Sequence, residues 1–159
     1  MRTHDVWKSG LVRRWHSNPD MAHTAQTNAQ HQWGCAILAL SLWPDDHQLM
    51  IAALTHDVGE VGVGDVSAVA KLGSWALTDA INAAEKLSFE RLDLPQPGWS
   101  RRLNLIDRLE AYLWTAQRAP QLLSGDGWPK AQHYILAEAD RTDVFLEVSA
   151  IINGCNNEH

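Results

Sequence analysis

The sequence predicts an all-α fold, a bundle of five to seven helices forming a single domain over 1–159. Three observations carry that expectation. Apolar residues recur at the helical period through most of the chain, polar capping residues stand where helices should begin, and prolines or glycines stand where they should end. Strand signals are weak: Val61 to Val66 alternates, but with glycines that suit a loop better.

Taken in order, Asn28 is expected to cap a helix from Ala29 to Trp43. Pro44 stops it, because proline lacks an N–H and clashes with the preceding turn. Asp45 or Asp46 caps a second helix from about His47 to Val58, which the glycines of Gly59 to Asp65 turn into a loop. Trp75 to Leu92 reads as a third, bounded by Pro95-Gln-Pro97-Gly98. Ser100 caps the next, Arg101 to Arg118, where Leu103, Ile106, Leu109 and Leu113 share a face and Pro120 closes the helix. Pro129 opens a last long helix to about Ile152.

The 159 residues include 13 Lys and Arg against 19 Asp and Glu, a net charge of -6, with 8 His, 8 Trp and 2 Cys. Two distant cysteines exclude a disulfide scaffold, and Met1 to Leu11 is too polar for a signal peptide, so a reducing cytoplasm is expected. The apolar stretches fall short of the roughly 20 residues that cross a bilayer. The acidic balance argues against binding a nucleic-acid polymer through its backbone, yet a few placed cations or a metal still suffice for an anionic small molecule. Most of the tryptophans are expected in the core, and Trp33, Trp43, Trp75, Trp99, Trp114 and Trp128 carry no chemical argument.

The sharpest local feature is Thr55-His56-Asp57-Val58-Gly59-Glu60, at the end of a mostly apolar helix. At helical spacing His56, Asp57 and Glu60 fall within an arc of roughly 100°, on the face that begins with Leu49 and Ala53. Buried charges are costly unless paired or bound to a metal. Taken alone the cluster is equally a solvated helix end. His31, on the stripe of Leu38 and Leu42, taken alone reads as a core histidine, and Asp107 could simply pair with Arg108 or Arg101. Together they place His, His-Asp and Asp on the inner sides of three helices.

In that order and spacing, His31, His56-Asp57 and Asp107 resemble the HD-domain phosphohydrolases, whose pattern is His, His-Asp and a distant Asp on an α bundle. Arg14-Trp15 and Gln30-His31, with Glu60, Gly64-Asp65 and Lys71 following, narrow the resemblance. They are similar to 5'-deoxynucleotidases of the YfbR type and to short phage dATP triphosphohydrolases of the DatZ type. The likeness covers about 11–110. One departure is Val66-Ser-Ala-Val-Ala70, where the bacterial nucleotidases carry prolines, so the wall of the base or sugar pocket is expected to differ. The short chain favours the phage branch.

The resemblance implies His31, His56, Asp57 and Asp107 as metal ligands. Two imidazoles and two carboxylates suit one divalent Co, Mn, Fe, Ni or Zn ion, with a second Mg on the substrate phosphates as a further expectation. Glu60, about one turn past His56, takes the general base or acid role, with Asp65 as alternative or partner. Arg14 offers a bidentate fork to phosphate, and the resemblance alone favours it over Arg13. Lys71 supplies a second cation for a longer polyphosphate, and Trp15 stacks on a base. His4, His16, His23, His47, His133 and His159 are read as solvent-facing, His16 and His23 being nearest the expected site.

The leading expectation is hydrolysis of dATP to deoxyadenosine and triphosphate. The alternative is a 5'-deoxynucleotidase acting on deoxynucleoside monophosphates. Cyclic or signalling nucleotide hydrolysis, which often calls for additional ligands to a second metal, is the less favoured enzyme class. The non-enzyme reading is a helical binding module that keeps a metal as a staple. The resemblance also implies a homo-oligomer, in the host cytoplasm if the chain is phage-encoded.

Overall fold

A computed structural model describes residues 2–125 and 127–156; His159 lies outside the described residues. The all-α class holds. The α-helices are α1 Arg2–Ser9, α2 Asn28–Leu42, α3 His47–Thr55, α4 Ala68–Gly73, α5 Trp75–Leu92, α6 Arg101–Arg118, α7 Trp128–Asp140 and α8 Phe145–Asn156. Six of them have nine residues or more, and the two shorter ones, α1 and α4, left no clear signal in the sequence. Short 3-10 turns occupy Ala22–Thr24, Val58–Gly62 and Pro120–Ser124. Among the described residues no helix is long and apolar enough to cross a membrane.

Three expected boundaries are corrected. The start of α2 is capped by Thr27, not Asn28: the Thr27 hydroxyl accepts from Gln30 N–H at 3.4 Å while Gln30 Oε1 accepts from Thr27 N–H at 2.9 Å, a reciprocal capping box. Helix α3 ends at Thr55, so His56 and Asp57 form a turn and Glu60 sits on the 3-10 turn after it. The long C-terminal helix divides at 141–144, where Asp143 adopts φ +60° and Val144 N–H bonds back to Ala139 C=O at 3.0 Å. Thr142 Oγ1 also donates to Glu138 C=O at 2.7 Å. Side chains that compete for backbone partners, together with an aspartate tolerant of the left-handed region, end the helix there.

The chain divides into two compact units, Met1–Trp33 with Leu54–Gly98, and Gly34–Ala53 with Trp99–His159. In the first, Val58, Phe89 and Leu92 form a small core with Val6, Val61 and Leu94 packed against it. The 3-10 turn lies flat on α5 because two of its residues have no side chain. A Cβ on Gly59 would stand 2.8 Å from Phe89 Cε2, and one on Gly62 would strike Ser88 Oγ. Before α2 the chain doubles back: Arg13 bridges Thr27, Arg14 N–H donates to Gln26 C=O at 2.9 Å, and Asn28 N–H to Val12 C=O at 2.9 Å. Arg14 and Trp15 are thereby anchored beside the start of α2.

The second unit holds the larger core, including Leu38, Leu49, Ile106, Leu109, Ile135 and Val148. Asp46 caps α3 through Leu49 N–H at 3.0 Å, and Ser100 caps α6 through Leu103 N–H at 3.1 Å, as the sequence leads one to expect. Glu138 on α7 is paired with both Arg101 and Arg141, whose charges and hydrogen bonds hold its carboxyl below the usual range.

The tryptophans do not fill either core. Trp7, Trp33, Trp75 and Trp99 are 63–80% exposed, and the other four are only half-buried. Arg102 lies over Trp43, which packs against the edge of the larger core, and Arg118 over Trp114, at 5.0 and 5.1 Å, giving polar cover to the half-buried rings.

Candidate metal centre

His31 stands one turn into α2 and is fully buried; His56 is buried in the turn that follows α3. Their Nε2 atoms are 3.2 Å apart. Asp57 Oδ2 lies 3.6 Å from His31 Nε2 and 3.4 Å from His56 Nε2, so three donor atoms form a nearly equilateral triangle. Asp57 reaches this position at φ -98° and ψ 8°, in the sparsely populated bridge region where site residues recur.

Two imidazole lone pairs facing each other at this distance repel unless a proton or a cation lies between them. Donors about 2.1 Å from one cation and roughly 90–110° apart stand about 3.0–3.4 Å from one another. Two of the observed separations, 3.2 and 3.4 Å, fall in that span and the third, 3.6 Å, lies just above it, close to what a divalent transition ion with nitrogen and oxygen donors requires. Both histidines belong to one buried group of donor atoms, all within 4.8 Å of one another, that could hold a metal ion.

Glu60 is buried at 6% exposure, and its Oε2 accepts from Asn28 Nδ2 at 2.8 Å. Burial, then the neighbouring Asp57 carboxylate, push the Glu60 carboxyl up to about 8, against the opposing pull of the Asn28 donor and Arg14. That places it in the range suited to moving a proton near neutral pH.

Arg14 Nη1 stands 3.8 Å from Asp57 Oδ2, and its guanidinium lies 5.6 Å from the centre of the Trp15 ring. Trp15 itself adopts φ +62°, a strained conformation for a bulky residue. Its N–H donates to Asp65 Oδ2 at 2.8 Å and its indole N–H to Gln26 Oε1 at 2.7 Å. Asp65 thus holds the Trp15 backbone in its unusual shape. Lys71 pairs with Glu85 Oε1 at 3.7 Å, and burial raises the Glu85 carboxyl above its ordinary range, Lys71 opposing that rise.

Asp107 belongs to the second unit, half-buried on α6 between Ile106 and the buried Leu109. Arg101 and Arg108, which the sequence offered as its partners, both make contacts with other residues. Arg101 pairs with Glu138, while Arg108 donates to Asn104 Oδ1 at 3.1 Å and lies over Tyr134. His4, His16, His23, His47 and His133 are exposed, as expected, with a His16 ring nitrogen 3.0 Å from Arg13 C=O. Asn28 and Glu85 were not expected at the site. Only the first left a signal, an asparagine placed inside a helix that already had a capping box.

No family model and no solved structure matches the chain. A dATP triphosphohydrolase of Salmonella phage PMBT28 is 30% identical over 146 residues, covering 80% of this chain and 69% of that protein. The chain belongs to that enzyme's family. Kinship with the dATP triphosphohydrolase supports an enzyme of the phosphohydrolase type acting on a nucleotide.

Proposed function

We propose that the protein is a metal-dependent deoxynucleotide phosphohydrolase that cleaves dATP and water to deoxyadenosine and triphosphate. The observation that carries the reading is the triangle of His31, His56 and Asp57 donors with buried Glu60 on the next 3-10 turn. Kinship with a phage dATP triphosphohydrolase supports the substrate. Asp107 enters as the fourth ligand on the sequence resemblance alone.

One divalent Co, Mn, Fe, Ni or Zn ion in this donor set would supply Lewis acidity toward a phosphoryl oxygen and acidify water. Ionised Glu60 takes a proton from the attacking water and returns it to the departing sugar O5', so that the bond from O5' to the α-phosphorus breaks as the new P–O bond forms. Arg14 offers its fork to the phosphates, Trp15 its ring to the adenine, and Asp65 keeps the Trp15 backbone in place. Lys71 is the remaining cation for the distal phosphates.

The pairing of Lys71 with Glu85 favours a second reading, release of phosphate from deoxynucleoside monophosphates, since a lysine already matched by a carboxylate is less available to a polyphosphate. Incubation with dATP and with dAMP in the presence of Co2+ or Mn2+, followed by separation of products, distinguishes them. Deoxyadenosine and triphosphate from dATP are expected; inorganic phosphate from dAMP alone would overturn the first reading. A helical module that keeps its metal as a staple would turn over neither.

A further inference from the structure

Asn28 is fully buried, yet it does nothing for the helix that it begins. Thr27 and Gln30 already satisfy the cap between themselves. The two N–H groups of the Asn28 amide are spent elsewhere, on Glu60 Oε2 at 2.8 Å and on Asp57 C=O at 3.3 Å. Its Oδ1 is buried with no donor among the described residues. A flipped amide would set that oxygen against a carboxylate and a carbonyl, so the orientation follows from its neighbours. A buried acceptor left unmatched calls for a reason other than stability, and the two bonds to Glu60 and Asp57 supply one.

We infer that Asn28 is a positioning residue. Its amide ties the Glu60 carboxyl to the backbone of Asp57, fixing the direction from which Glu60 exchanges a proton. This rests on the proposed phosphohydrolase reading. Asn28 holds no metal and touches no phosphate in this scheme; it acts through Glu60.

The test is a double-mutant cycle on the full chain with Mn2+, using whichever of dATP and dAMP the wild type hydrolyses. Asn28→Ala is expected to lower kcat about tenfold or more with KM within about threefold, and to leave bound Mn2+ per chain unchanged. In a Glu60→Asp background, where the shortened carboxyl no longer reaches the amide, Asn28→Ala is expected to cost less than about twofold more. Wild-type kcat in Asn28→Ala, or its full loss repeated on Glu60→Asp, would overturn the inference while leaving the function intact. Should Asn28→Ala fail to fold, Asn28→Ser runs the same cycle under the same criteria. A wild-type chain inactive on both nucleotides sinks the functional reading, and this inference with it.

Discussion

Glu60 and His56 lie four positions apart, and substitutions separate their proposed roles. Glu60→Gln is expected to lower kcat by about 10²–10⁴ with metal content unchanged, the usual worth of a placed general base. His56→Ala is expected to lose the metal itself, read by elemental analysis after dialysis; full metal content would remove His56 from the ligand set. Trp15 carries a different kind of cost. Its φ of +62° is costly for a bulky side chain and free of penalty for glycine, so Trp15→Gly relieves backbone strain while deleting the ring. If Trp15 stacks on the base, KM should rise roughly tenfold, from about 1–3 kcal/mol of lost stacking. An unchanged KM would assign the tryptophan to the loop rather than the substrate.

At the level of elements, the decisive one is the 3-10 turn Val58–Gly62. Gly59→Ala would set its Cβ against Phe89 and Glu85, and overpacking of this kind costs about 1–3 kcal/mol. Because the displaced turn carries Glu60, kcat is expected to fall further than the melting temperature suggests. The glycines of this stretch read in sequence as a loop, and nothing local distinguished a loop from a turn pressed on α5; that distinction lies in Phe89 and Ser88, far along the chain. Helix boundaries set by local chemistry were legible, as the Ser100 and Asp46 caps show. Asp46→Ala is expected to cost about 1 kcal/mol at neutral pH. Leu49 N–H, then Arg102, lower the Asp46 carboxyl below 3.8, so the contribution is complete above that value and fades as pH falls through the lowered one. Denaturant unfolding at pH 7 and near pH 3 should show the variants converging in acid.

For the molecule as a whole, a metal that binds only the folded chain must stabilise it. At about a hundred times its dissociation constant a ligand adds about 2.7 kcal/mol, which for a chain of this size raises Tm by roughly 5–10 °C. Chelation should reverse the shift, and a Tm indifferent to Mn2+, Co2+ and chelator would count against the centre. His31, His56 and Asp57 were legible because their residue types advertise their chemistry. Asn28 and Glu85 were not: the asparagine at the start of a helix read as its cap, and a carboxyl on a helix looks like solvated surface until its partner is known. The tryptophans misled for the opposite reason: hydrophobic character suggests burial, but ring placement depends on which helix faces remain uncovered. The division of the chain, finally, bears on its synthesis. Each unit joins two separated stretches, Met1–Trp33 with Leu54–Gly98 and Gly34–Ala53 with Trp99–His159. On the ribosome the first has all its residues once Gly98 has emerged, whereas Gly34–Ala53 must wait, its apolar Leu38 and Leu49 unsheltered, until the C-terminal helices arrive. Vectorial synthesis therefore completes first the stretches that bear His31 and His56.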